Sequence, residues 1–179
     1  MLISEGYRKQ QEQMHAEIPG YGVTGRLFGR LVSEIMTRLN ITELLDYGCG
    51  HNLSLFHAIK TSHKFRYQAY DPGVMEYAKD PIPSQMVACI DVLEHIEPDL
   101  IENVLDDLAR LTEQIGFFTV HTGPAGKTLP DGRNAHLIQE DAQWWLERLL
   151  PRFDLQTFQR IESGFYVIVY PQHRVIHDH

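Results

Sequence analysis

Apolar residues recur at helical spacing early in the chain. Leu27, Phe28, Leu31, Val32, Ile35, Met36 and Leu39 fall on one helix face, with Thr24 placed to cap it. Glu5 to Glu17 is polar and helix-prone, and Pro19-Gly20-Tyr21-Gly22 breaks the two segments apart as a hinge or lid. The period then shortens. Ile41 to Tyr47 reads as a first strand, Leu53 to Lys60 as its following helix and Phe65 to Tyr70 as a second strand.

Between Asp71 and Gln85 stand Pro72, Gly73, Pro81 and Pro83, which leave little room for another helix and strand. Met86 to Ile90 is a continuous apolar run suited to a buried strand, and Pro98 sits where it can open the next helix. Leu100, Ile101, Val104, Leu105, Leu108 and Leu111 give that helix a core-facing stripe. Phe117 to His121 is a further strand. A loop from Gly123 to Leu137 leads to a helix whose adjacent Trp144 and Trp145 cannot face the same way. Phe153 to Arg160 and Tyr166 to Tyr170, flanking Ser163-Gly164, read as an antiparallel hairpin, and the tail from Gln172 as frayed.

The most informative stretch is Leu44-Leu45-Asp46-Tyr47-Gly48-Cys49-Gly50-His51-Asn52, followed by Ala69-Tyr70-Asp71-Pro72. An apolar strand ending in acid-x-Gly-x-Gly turns tightly into a helix, and glycine lets the backbone approach a ligand. An acid closing the next strand about 20 residues later can accept from a ribose hydroxyl pair. A pyrophosphate loop would prefer a third glycine where Asn52 stands and no carboxylate at Asp46. The pattern therefore favours a nucleoside cofactor without phosphate over a nicotinamide dinucleotide.

Composition narrows the setting. At 179 residues and 43% hydrophobic, the chain suits one core and one domain. A formal net charge of -8 opposes general attraction to nucleic acid, making a small molecule the easier partner. Cys49 and Cys89 form no paired motif, which argues against a disulfide framework or a thiolate zinc site and suits a reducing cytoplasm. No apolar run reaches membrane-spanning length, and Met1-Leu2-Ile3-Ser4-Glu5 lacks the pattern of a secretion signal. The sequence singles out no oligomeric interface.

Asp46, Gly48 and Gly50, with Asp71, resemble the first motif and ribose acid of class I S-adenosylmethionine-dependent methyltransferases. Cys89 to Ile96 is similar to the fourth-strand segment of that superfamily, so the resemblance runs from Ile41 to Ile168. It implies an α/β, Rossmann-like doubly wound sheet with a C-terminal antiparallel hairpin and the third strand shortened or absent. One domain, 1–179, would comprise a helical lid or packing segment 1–40, a core 41–171 and a tail 172–179. Asp46, Tyr47, Gly48, Cys49 and Gly50 would lie beside the methionine part of S-adenosylmethionine and Asp71 beside its ribose. Pro72, Ile90 and Asp91 are the adenine-pocket candidates. Tyr7, Tyr21 and Thr24 would close over the cofactor.

The same resemblance suggests the chemistry. Asp91, Glu94 and His95, with the distant His136, are similar to the acid-x-x-Glu-His plus histidine set that binds a divalent ion in small-RNA 3′-terminal 2′-O-methyltransferases. Mg²⁺ or Mn²⁺ held there would orient a hydroxyl and lower its pKa. Without a metal, His136 or His95 would act as general base, with His121 a further candidate. Lys127, Arg133 and Asn134 make the long loop polar and suit a hydroxyl-rich or anionic acceptor; Trp144 or Trp145 would line the acceptor cleft or enter the core. The expectation is methyl transfer to a hydroxyl of a sugar, nucleoside or other small polar metabolite. The alternatives are a metal-dependent RNA 2′-O-methyltransferase and a non-catalytic S-adenosylmethionine-binding module.

Overall fold

A computed structural model describes residues 1–18 and 20–172 of the chain. The helices are α1 (Glu5–Glu17), α2 (Gly25–Leu39), α3 (Ser54–Ala58), α4 (Ile101–Leu111) and α5 (Ala142–Leu149). The strands are β1 (Glu43–Tyr47), β2 (Arg66–Tyr70), β3 (Ser84–Ile90), β4 (Thr112–His121), β5 (Phe153–Ile161) and β6 (Gly164–Pro171). They form one six-stranded sheet in the order β2-β1-β3-β4-β6-β5. The first four strands are parallel, and β6 runs antiparallel to both β4 and β5. Only the short 3₁₀ turn Met75–Tyr77 fills the space after β2, so the third strand is absent, as the Pro72-to-Pro83 punctuation predicts.

The central strands are apolar on both faces because both are covered. Val32, Ile35 and Met36 of α2 pack on Leu44, Met86, Ala88, Ile90 and Phe117. On the opposite face, Val104, Leu105, Leu108 and Trp145 pack on Leu45, Val87, Cys89, Phe118 and Val167. Alternate residues of each strand thus enter different cores, and the sequence shows runs instead of alternation. The strand order reverses between β1 and β3, which opens a crevice at their carboxyl ends.

Several local expectations are corrected. Thr24 does not cap α2; its hydroxyl is turned to Asp91 Oδ2 at 3.0 Å. Leu27 is 72% exposed, because Gly25 and Gly29 let α3 approach so closely that the packed face is rotated away from it. α3 is only five residues, ending where the Lys60 N–H bonds to Ser33 Oγ at 2.8 Å. β4 begins at Thr112, directly after α4, five residues before Phe117. Trp145 is fully buried, whereas Trp144 packs partly against the core beneath the Arg148 guanidinium, 3.4 Å from its ring centroid. Pro19 of the hinge and residues 173–179 of the tail lie outside the described residues; Gln172 donates its N–H to Arg152 O at 3.2 Å.

Candidate functional site

A cavity of about 360 Å³ occupies the crevice. Its floor is the turn after β1. Gly48 and Cys49 both donate N–H to Tyr70 O, at 2.7 and 3.1 Å, locking the turn to the end of β2. Gly48 has φ +81°, and a Cβ there would stand 2.3 Å from Val92 Cγ2, so only glycine fits. Asp71 closes the same turn: Oδ2 accepts from Gly50 N and Oδ1 from Gly73 N, both at 2.9 Å. Asp46, Tyr47, Cys49, Pro72, Ile90 and Asp91 also line the cavity.

The roof is the N-terminal segment. Ser4 caps α1 by accepting from Tyr7 N, while its own N–H and hydroxyl both donate to the Glu97 carboxylate. The Tyr7 hydroxyl donates to His95 O at 2.6 Å. Tyr7, Gln11 and His15 therefore face the cavity from one side of α1. Gln11 and His15 escaped the sequence reading, because polar residues in a polar helix resemble a solvated face. Their only signal is the i, i+4 spacing from Tyr7.

The cavity is electrostatically unbalanced. Asp46 is buried, and removal from water pushes its carboxyl up to about 7; a hydrogen bond from Tyr67 lowers it and the charge of Asp71 raises it. Lys127 is the only Lys or Arg among the described lining residues, and it stands over the Tyr21 ring, 5.8 Å from the centroid. Buried His15 Nδ1 and Gln11 Nε2 have no protein partner. A glycine-walled turn, a desolvated carboxylate lacking a cation and two unsatisfied polar atoms fit a ligand carrying a ribose and a cationic amino-acid end. Burial, then Asp46 and Asp71, push the Cys49 thiol up, so it stays protonated and is no nucleophile.

At the opposite end stand three imidazoles. His136 lies 4.7 Å, centroid to centroid, from both His95 and His121. Their hydrogen bonds assign the tautomers. His95 Nδ1 faces Ala135 O at 2.8 Å and His136 Nδ1 faces Gly123 O at 2.7 Å. A carbonyl only accepts, so both Nδ1 atoms carry the proton and both Nε2 atoms keep a lone pair. His121 Nδ1 accepts from Gly123 N at 3.1 Å, so its neutral ring carries the proton on Nε2. Burial, reinforced by His136, lowers His95 to about 4; burial also lowers His136.

The Asp91, Glu94, His95 and His136 set does not assemble as a metal centre. Among the described residues no group of three His, Cys, Asp or Glu side chains gathers at ligating positions. Glu94 is fully buried; its Oε1 accepts from His121 N at 2.8 Å, and its Oε2 meets no donor. Burial first and the Asp91 charge second raise its carboxyl well above the usual range. Glu94 Oε1 is taken by the His121 N–H and Asp91 Oδ2 by the Thr24 hydroxyl, while both His95 Nδ1 and His136 Nδ1 face carbonyls, so the four side chains are engaged separately. Arg133 and Asn134 also stand away from the cavity. Arg133 pairs with Asp131 at 2.7 Å, and Asn134 ties both backbone groups of Ala125, so of the three polar candidates Lys127, Arg133 and Asn134 it is Lys127 that lines the cavity.

No family model matches the chain, and no curated protein matches it. Solved structures do. A Burkholderia thailandensis 1,6-didemethyltoxoflavin-N1-methyltransferase, with bound 1,6-didemethyltoxoflavin and S-adenosylhomocysteine, superposes with a TM-score of 0.62 at 14% identity, covering 92% of this chain and 87% of that one. The N-methyltransferase NodS from Bradyrhizobium japonicum WM9, in complex with S-adenosylhomocysteine, gives 0.56 at 12% identity over 92% and 98%. An O-methyltransferase family protein from Burkholderia thailandensis gives 0.63 at 12% identity over 90% and 58%. With its six-stranded sheet and terminal antiparallel hairpin, the chain has the fold of the class I S-adenosylmethionine-dependent methyltransferases.

Proposed function

We propose that the protein transfers a methyl group from S-adenosylmethionine to a hydroxyl of a small acceptor. The observation that carries this reading is the meeting of the Gly48-Cys49-Gly50 turn, the cation-free Asp46 carboxylate and Asp71 at one roofed cavity, with three ordered imidazoles beside it. Asp46 would meet the ammonium end of the cofactor, Asp71 the ribose, and Pro72 and Ile90 the adenine. Bound there, S-adenosylmethionine would supply a methyl carbon made electrophilic by its sulfonium sulfur, with S-adenosylhomocysteine as the leaving group.

The residues of the chain supply position and a proton acceptor. The Nε2 lone pair of His136 receives the acceptor proton while Nδ1–H stays on Gly123 O. The resulting imidazolium is favoured by the Asp91 carboxylate and opposed by His121. His95 holds a second lone pair that fixes the acceptor's orientation, and the α1 roof excludes water. A neutral amine already offers a nucleophilic lone pair, whereas a hydroxyl gains nucleophilicity as a general base takes its proton, so two bare Nε2 atoms favour oxygen as the target.

His136→Ala should lower turnover by about 10²- to 10⁴-fold while leaving S-adenosylhomocysteine affinity within a factor of about two. Radiolabelled methyl donor incubated with fractionated metabolites provides the assay. Transfer at the wild-type rate by the variant would remove His136 from the mechanism.

A further inference from the structure

A second groove of about 290 Å³ adjoins the cavity and shares Thr24, Asp91 and His121 with it. The Thr24 Oγ1 to Asp91 Oδ2 bond lies at the shared boundary. Asp91 is fixed there by a left-handed backbone (φ +60°) and by its N–H to Thr119 Oγ1 at 2.9 Å, so its carboxylate has a defined place at the junction. The outer walls are Leu27 and Phe28 of α2, Ile161 at the end of β5, and Glu162 and Ser163 of the turn into β6.

We propose that this groove receives the body of the methyl acceptor, and that it selects an uncharged or cationic hydroxyl compound with a flat apolar body. The proposal rests on the methyl-transfer reading above and names its substrate class. Space is the first reason. Ligand sites span roughly 300–1,000 Å³, so a nucleoside cofactor would fill most of the first cavity and leave room beside the imidazoles for little more than the reacting group. The remainder of an acceptor must extend past Asp91.

Surface chemistry is the second reason. Leu27 is 72% exposed on a helix whose other apolar residues are packed, and it stands at the groove beside Phe28 and Ile161. Charge is the third. Asp91 and Glu162 line the groove and no Lys or Arg does so among the described residues, so an anionic body would be repelled and a cationic one drawn in. His121, whose Nε2 carries a proton, offers a donor at the junction, while Asp91 offers an acceptor.

The test uses the full chain, ¹⁵N-labelled and saturated with S-adenosylhomocysteine, titrated separately with phenol, tyramine and para-hydroxybenzoate. Phenol and tyramine should shift the amides of Leu27, Ile161 and Ser163, and para-hydroxybenzoate should bind at least about tenfold more weakly than tyramine. Leu27→Lys, at an exposed position, should keep the melting temperature and narrow that gap by about threefold or more. Equal affinity for the anion and the cation, or shifts confined to other surfaces, would overturn the groove assignment while leaving the cofactor reading intact. Failure of S-adenosylhomocysteine to move the Gly48 and Gly50 amides would instead overturn the cofactor reading and the groove proposal with it.

Discussion

As the proposed partner of the cofactor's ammonium end, Asp46 would couple cofactor binding to pH. Its carboxyl in the free protein is pushed up to about 7 by burial, and an ammonium partner requires the ionised form. Affinity for S-adenosylhomocysteine should therefore rise about tenfold between roughly pH 6 and pH 8, measured by calorimetry, and Asp46→Asn should flatten that slope. The folded-state pKa lies above the unfolded value, so this group's contribution to stability is full below about 3.8 and is lost as pH rises through about 7. The unliganded wild type should lose stability across that window relative to Asp46→Asn. A slope that survives in the variant would mean another group titrates. The meeting of Asp46, Gly48 and Asp71 at one cavity was legible because a tight turn and two strand-end acids leave a fixed spacing. Gln11 and His15 were not, since nothing in a polar helix marks which polar side chains meet a cavity instead of water. Glu94 is a related case: beside histidines a carboxylate reads as a metal ligand or as a structural acid, and its complete burial with Oε1 on the His121 N–H speaks for the structural role.

α1 is the roof, and the Tyr7 hydroxyl is one of its attachments beside the two Ser4 bonds to Glu97. Tyr7→Phe removes the bond to His95 O and leaves a carbonyl without its donor, a loss of about 1–1.5 kcal/mol. Release of S-adenosylhomocysteine should quicken about tenfold in stopped-flow measurements. An unchanged release rate would mean that α1 does not gate the cavity. The strands and the hairpin were readable from apolar runs and from Ser163-Gly164. Helix ends were less so. Thr24 has the chemistry of a cap, yet its hydroxyl serves Asp91 across 67 residues, a tertiary contact that local spacing does not reveal. Leu27 fits the periodicity of α2 and is nonetheless exposed, because Gly25 and Gly29 decide which face meets α3.

The whole molecule depends on two cores flanking one sheet, and Trp145 is among the largest fully buried side chains in them. Trp145→Ala should cost about 3–5 kcal/mol, a large share of the about 5–15 kcal/mol that holds a domain folded. Chemical denaturation should show the loss. Cofactor product at about a hundred times its dissociation constant should restore about 2.7 kcal/mol, since the cavity exists only in the folded chain. The absent third strand was readable from proline placement, but the closeness of the second groove was not. It arises where α2 passes the turn between β5 and β6, segments more than a hundred residues apart. On the proposed reading the β1 turn and Asp71 together grip one adenosyl molecule. A crystal structure of the protein grown with S-adenosylhomocysteine tests it most directly. The predicted result is density with the ribose on Asp71 and the amino end toward Asp46; density elsewhere, or an empty crevice at saturating ligand, would contradict it.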